Sequence, residues 1–213
     1  MKSHLLSLAV VSIILVGCGK GDDSDQPEAN TPKKSPGYSR IVNLTNSDVD
    51  LFSKNRKVCS TVHTMEASEL LPIGLNEQTL RIVPTSGKEF EVKTTLEADK
   101  GVSIILMPDG KTTKLIPNEL RYASSETNTH MVPVEAGGKM PSSAKIDDKS
   151  YPIKDSYINL SQGQVTFPDQ TSFNVSDRIG FSLFVAATPS GVHYIMGKNA
   201  SDRKPMGSGL AAN

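Results

Sequence analysis

From Tyr38 onward the chain alternates short apolar runs with turn-forming residues. RIVNL, DVDLF, KVCS, TLRIV, EFEVKTTL and GVSIILM each have the length and period of a strand, with breaks at Asn46-Ser47, Asn55-Arg56, Gly74, Ser86-Gly87 and Asp99-Lys100. In EFEVKTTL, Phe90, Val92, Thr94 and Leu96 fall on one side and Glu91, Lys93 and Thr95 on the other. That division predicts a half-buried strand with one face toward a second sheet. Asp109-Gly110 has the residues of a tight hairpin turn between SIILM and KTTKLI. The one stretch with helical texture, MEASELL, is bounded by Pro72 and serves equally well as a strand. Many short antiparallel strands at this spacing predict an all-β fold, a sandwich over residues 38–120.

The pattern weakens over 117–140, where SSETNTH reads as loop, and a connector is expected over 121–140. Strand texture returns in KIDDKSYPI, with Asp147-Asp148 as its turn, and continues through YINL, QVTF, SFNV, FSLFVAAT and VHYIM. These make a second, smaller or degenerate β unit over 141–198. The remainder, 199–213, has no periodicity and is expected to be a flexible tail.

Two pairs of stretches look alike across the halves. IVNLTNSDVDLF, from Ile41, aligns without a gap on YINLSQGQVTFP, from Tyr157, and GVSIILMPDG resembles GFSLFVAATPSG, from Gly180. The interval between the two stretches is shorter in the second half, so a repeat would lack several strands. Either the second unit is a small sandwich of its own or its strands complete the first.

The amino terminus changes the picture. MKSHLLSLAVVSIILVGCGK offers one lysine, then an apolar run from Leu5 to Val16 broken only by serines, then Gly17 and Cys18. The run is too short to span a bilayer and has the form of a secretory signal. Residues 19–37, GKGDDSDQPEANTPKKSPG, hold no aromatic and no aliphatic side chain larger than Ala29, so they cannot bury enough surface to order themselves. Such a linker reaches roughly 65 Å when extended and averages about 25 Å as a coil.

Leu15-Val16-Gly17-Cys18 resembles the bacterial lipobox, with Leu15, Val16 and Gly17 as the signal-peptidase recognition residues. The resemblance implies that residues 1–17 are a lipoprotein signal peptide and that Cys18 is diacylated and becomes the first residue of a lipidated segment, 18–37. Two or three acyl chains hold a domain at a membrane where one would be marginal. Gly19 after the cysteine, in place of aspartate, implies the outer membrane if the host has two.

Removing residues 1–17 takes away Lys2 and no acid, leaving 22 basic residues against 23 acidic ones and a net charge of −1 with histidines neutral. That balance gives no electrostatic case for nucleic acid. With Cys18 lipidated, Cys59 has no intramolecular disulfide partner and is expected to be a packed thiol.

RIVNLTNSDVDLFSKNRKVCSTVHTMEASELLPI, followed by TLRIV and FEVKTTLEADKGVSIILMPDGK, is similar to the uncharacterised β-sandwich repeats of bacterial secreted proteins. Asp50-Leu51-Phe52 stands where that family has a D-V-Y-like strand, Asn55-Arg56 replaces its N-G turn, and Ser103 replaces its usual aromatic. This resemblance covers roughly residues 39–116 and implies an immunoglobulin-like antiparallel sandwich with no established activity. A weaker resemblance, in layout alone, is to the periplasmic accessory proteins of alginate acetylation, and it carries no residue roles.

Motifs for catalysis are missing or incomplete. Gly180-Phe181-Ser182-Leu183-Phe184 fails the last position of a nucleophile elbow, and Ser142 to Lys145 and Ser201 to Lys204 open no helix. His63, His130 and His193 are isolated in sequence, with no H-E-x-x-H, paired C-x-x-C or calcium-loop spacing, so neither a metal nor a cofactor is expected. Asp22-Asp23 belongs to the linker, Asp147-Asp148 to a turn, and Gly137-Gly138 is a turn without the setting of a phosphate loop. The expectation is a non-catalytic, membrane-anchored module of the cell envelope that binds an envelope protein or polysaccharide. The alternatives are an accessory subunit of an exopolysaccharide-modifying complex and an enzyme with an unrecognised site.

Overall fold

A computed structural model describes residues 36–98, 100–110, 113–119, 128–176 and 179–201. Every regular element in them is a strand. The first unit holds β1 (Gly37–Asn43), β2 (Val49–Ser53), β3 (Arg56–Lys57), β4 (Glu66–Ala67), β5 (Leu71–Gly74), β6 (Asn76–Pro84), β7 (Phe90–Leu96), β8 (Lys100–Leu106) and β9 (Thr113–Glu119). One sheet runs β4-β1-β8-β9 with β5 also on β1, and the other runs β3-β2-β6-β7. Ile41, Leu51, Leu80, Ile82, Val92 and Ile104 pack between them. The expected face of β7 is the buried one: Val92, Thr94 and Leu96 are inside while Glu91, Lys93 and Thr95 are exposed. KVCS forms a strand only through Lys57, and Cys59 is half-buried beyond it.

The second unit holds β10 (Asn128–Glu135), β11 (Ser143–Ile146), β12 (Lys149–Pro152), β13 (Ser156–Asn159), β14 (Gly163–Thr166), β15 (Ser172–Val175), β16 (Ile179–Thr188) and β17 (Gly191–Ser201). Its main sheet, β13-β10-β16-β17, repeats the order β5-β1-β8-β9 of the first unit. The hairpins β11-β12 and β14-β15 cover it where β2-β3 and β6-β7 cover the first. The second unit therefore has its own sheet and its own core and does not complete the first. GFSLFVAATPSG does match GVSIILMPDG, since β16 and β8 take equivalent places. YINL does not match IVNL: β13 stands in the place of β5, and the counterpart of β1 is β10, inside the expected connector.

Neither unit is wholly antiparallel. β1 runs parallel to β8, and β10 parallel to β16. Strands that pair in parallel at a sheet centre are ordinarily covered on both faces, and here the uncovered faces of the two main sheets meet. Val42, Ile105, Val132, Val134, Phe184 and Ile195 form that middle layer. Alternation along single strands serves both layers: Ile104 and Ile105, or Leu183 and Phe184, point into different cores. Gly138 makes one close approach possible. Its N–H donates to Ala187 O at 3.0 Å, and a Cβ there would lie 2.2 Å from Thr188 O. The expected tail also shortens, because β17 runs on to Ser201 and Asn199 is buried.

Candidate functional site

The two sheets of the first unit part along one edge. There the chain leaves β3, crosses through Val62, which bridges to Val49, and enters the opposite sheet as β4 and β5. The crossing leaves an open groove of about 760 Å³ between Lys57 and Leu71. Its apolar floor includes Val58, Cys59 and Leu71, which also pack on the core. Along its rim Lys57 Nζ lies 2.7 Å from Asp50 Oδ1, which also accepts from Thr61 Oγ1 at 2.8 Å. The hydrogen bond from Lys57 holds the Asp50 carboxyl below its ordinary range. Ser68 Oγ accepts from Ile41 N–H at 3.0 Å, so a side chain completes the ladder between the short strands. Burial pushes the Cys59 thiol up, away from the reactive thiolate.

A second recess, about 310 Å³, opens at the loop end of the same unit beside Asn46, Pro84, Lys88, Phe90 and Pro108. Its base is fixed by hydrogen bonds centred on the buried side chains of Asn43, Thr45 and Ser47. Asn43 donates to Ser47 O and Val62 O at 2.9 and 3.1 Å and accepts from Thr45 Oγ1 at 2.7 Å. Ser86 N–H and Oγ both lie 3.1 Å from Ser47 Oγ. Both concavities offer hydroxyls, amides and charged side chains over an apolar floor, an arrangement suited to binding a polar chain or a peptide.

The histidines do not converge on either recess. His63 Nδ1 meets Asp48 Oδ2 at 2.9 Å on the surface, and that carboxylate raises its pKa above the ordinary imidazole value. His130 Nε2 meets Asp155 Oδ1 at 2.6 Å and its ring stacks on Tyr157. His193 Nε2 lies 3.2 Å from Ser190 Oγ, itself 2.8 Å from Thr188 Oγ1. A histidine-serine contact and two histidine-aspartate pairs thus exist at three separate places, without the third member a nucleophilic site requires. Ser182, the candidate elbow serine, is fully buried inside β16 and donates to Asn199 Oδ1 at 2.9 Å. Lys145 lies in β11 and Ser142 just before it, so that pair sits on no helix. Among the described residues no three of His, Cys, Asp and Glu lie close enough to hold a metal. Asp147-Asp148 is the turn of the β11-β12 hairpin, with Asp147 at φ 49°.

Leu15, Val16, Gly17, Cys18 and Asp22-Asp23 lie outside the described residues, as does Lys204. Sequence reasoning missed Arg40, a fully buried cation in the layer between the units. Its Nη2 donates to Asn199 Oδ1, and its guanidinium lies 5.9 Å from the centroid of the Phe184 ring. Alternation sets Arg40 on the same face of β1 as Val42, but carries no sign that a second unit covers that face.

No protein-family model matches this chain, and no curated protein is similar to it in sequence.

Proposed function

We propose that this chain is a lipid-anchored, non-catalytic protein of the bacterial cell envelope, in which two stacked β units act as a binding or scaffold module. One observation carries the reading: Leu15-Val16-Gly17-Cys18 closes a short apolar run, and the polar linker that follows stops where β1 begins at Gly37. Signal, acylation site, spacer and fold succeed one another without overlap. The likeness to secreted β-sandwich repeats agrees with export. The concavities of the first unit, with apolar floors and hydroxyl-bearing rims, are the surfaces offered to an envelope protein or polysaccharide.

Expression of the full chain and of Cys18→Ala, with phase partition in detergent and acyl-chain mass spectrometry, tests the anchor. The parent chain is expected in the detergent phase carrying acyl chains on Cys18. The variant is expected without acyl chains and depleted from the detergent phase. Equal partition of the two, or an unacylated parent, would overturn the reading.

A further inference from the structure

The outer edge of β17 is an open row of backbone hydrogen-bonding groups. Among the described residues β17 stands at the end of its sheet and pairs only with β16. Ala136 N–H donates to Ala187 O, so the odd residues of β16 face β10 and its even residues face β17. By the register Ala186↔His193 and Phe184↔Ile195, the odd residues of β17 face β16 and the even ones face outward. Tyr194 confirms this parity, because its N–H points away from β16 to Asp169 Oδ2 at 3.1 Å. The next outward groups are those of Met196 and Lys198, which have no backbone partner on this side among the described residues.

The corresponding edge in the first unit is interrupted at its middle. β9 pairs with β8 through Gly101↔Asn118 and Val102↔Pro117, and Leu106 O is directed at β1. The odd residues of β9 therefore face outward, and Pro117 among them has no N–H to offer, the usual protection of an edge. β17 carries no proline over its eleven residues, and its side chains are packed on both faces, Tyr194 and Met196 in one core and Ile195 in the middle layer. Up to the register shift at Asn199, which follows Lys198, the strand is well packed and unfinished along one side.

We infer that β17 pairs antiparallel with β17 of a second copy of this chain. The register that uses the open groups bonds Met196 to Lys198 of the other copy, and Lys198 to its Met196, with Gly197 facing Gly197 across the twofold axis. Glycine leaves no side chain to crowd that axis. The Asp169 bond to Tyr194 stays intact, because it lies just beyond the paired stretch. Charge selects the antiparallel direction: Asp169 stands at one end of the open stretch and Lys198 at the other. Twofold pairing brings the Lys198 side chain of each copy diagonal to Tyr194 of the other, within reach of its Asp169. Parallel pairing would set lysine beside lysine.

The test is sedimentation equilibrium of the full chain in density-matched detergent, from about 1 to about 100 µM, with amide exchange at Met196 and Lys198. The parent chain is expected to be a dimer with both amides protected. Lys198→Pro removes an outward N–H that the β16 ladder does not use, follows a glycine that tolerates a proline, and is expected to give a monomer. Lys198→Glu sets two acids together twice per dimer and is expected to weaken association roughly tenfold. If circular dichroism shows that the proline variant misfolds, the glutamate variant decides. A parent chain monomeric throughout the range, or a dimer unchanged in mass and affinity by Lys198→Glu, overturns the inference.

Discussion

Arg40 carries its charge into the layer where β1 faces β17, and two polar side chains, Asn199 and Ser182, line up on it. Among the described residues its Nε and Nη1 have no hydrogen-bond partner. Burial lowers its pKa from the ordinary guanidinium range to about 9, so it remains a cation at neutral pH with its hydration stripped away. Removing such a charge while keeping the volume is often stabilising, because no compensating anion is lost. Arg40→Met is expected to raise stability by about 1–3 kcal/mol, since Asn199 Oδ1 keeps its bond from Ser182. Arg40→Ala, which leaves a void, is expected to lower it. Gly197 is coupled to this residue: a Cβ there would meet Arg40 Nη1 at 1.9 Å. Gly197→Ala should therefore cost about 1–3 kcal/mol in the parent chain and clearly less beside Arg40→Ala. Thermal denaturation of the four-member cycle measures the coupling, and equal costs in both backgrounds would rule the contact out. None of this was visible in RIVNL, where an arginine opening a strand reads as a solvated edge. The burial comes from the second unit covering that face, and strand alternation says nothing about what lies opposite.

Among the elements, the hairpins were the most legible and the sheets that join them the least. Turn residues marked Asp147-Asp148 as a tight hairpin, while Asp109-Gly110 belongs to a longer connection, 107–112, between β8 and β9; β6-β7, β11-β12 and β14-β15 are all local pairings that alternation and turn chemistry specify together. The parallel pairs β1 with β8 and β10 with β16 join strands far apart in sequence and leave no local mark. That is also why β10 was expected to be connector: its residues NTHMVPVE include Pro133, which weakens a strand pattern. Pairing with β13 ends at Met131, so no ladder bond to that strand is asked of the proline. Asp147 shows how a turn residue can also join elements. Its backbone N–H donates to Thr166 O at 3.3 Å and its Oδ1 accepts from Thr166 N–H at 3.1 Å, linking hairpins β11-β12 and β14-β15, which otherwise form separate sheets. Asp147→Asn keeps the acceptor and tolerates the positive φ, so it is expected to be near neutral. Asp147→Ala loses the acceptor and strains the turn, and is expected to cost about 1–2 kcal/mol. Urea denaturation separates the two, and equal losses would mean that charge, not the hydrogen bond, holds the hairpins.

At the scale of the whole molecule, the apolar composition was enough to announce cores but not their number. Among the described residues four layers of strands enclose three cores, and the middle one exists because β1, β8, β10 and β16 carry apolar side chains on both faces. Continuous runs such as SLFVAA carry that information in outline, since a strand that faces solvent alternates more cleanly. The middle layer makes the stability of each unit depend on the other. Phe184 is its most telling member: fully buried, set among residues of both main sheets and beneath the Arg40 guanidinium. Phe184→Ala is expected to cost about 3–5 kcal/mol. It should also loosen the link between units, because the cluster that joins Val42, Leu44 and Ile105 of the first unit to Val132 and Ile195 of the second loses its aromatic ring. Calorimetry reads both effects, with one cooperative transition expected for the parent chain and two resolved transitions for the variant. A single sharp transition displaced to lower temperature would mean that the remaining apolar contacts suffice to keep the units folding as one. Two transitions already present in the parent chain would mean that the middle layer joins units that are stable independently.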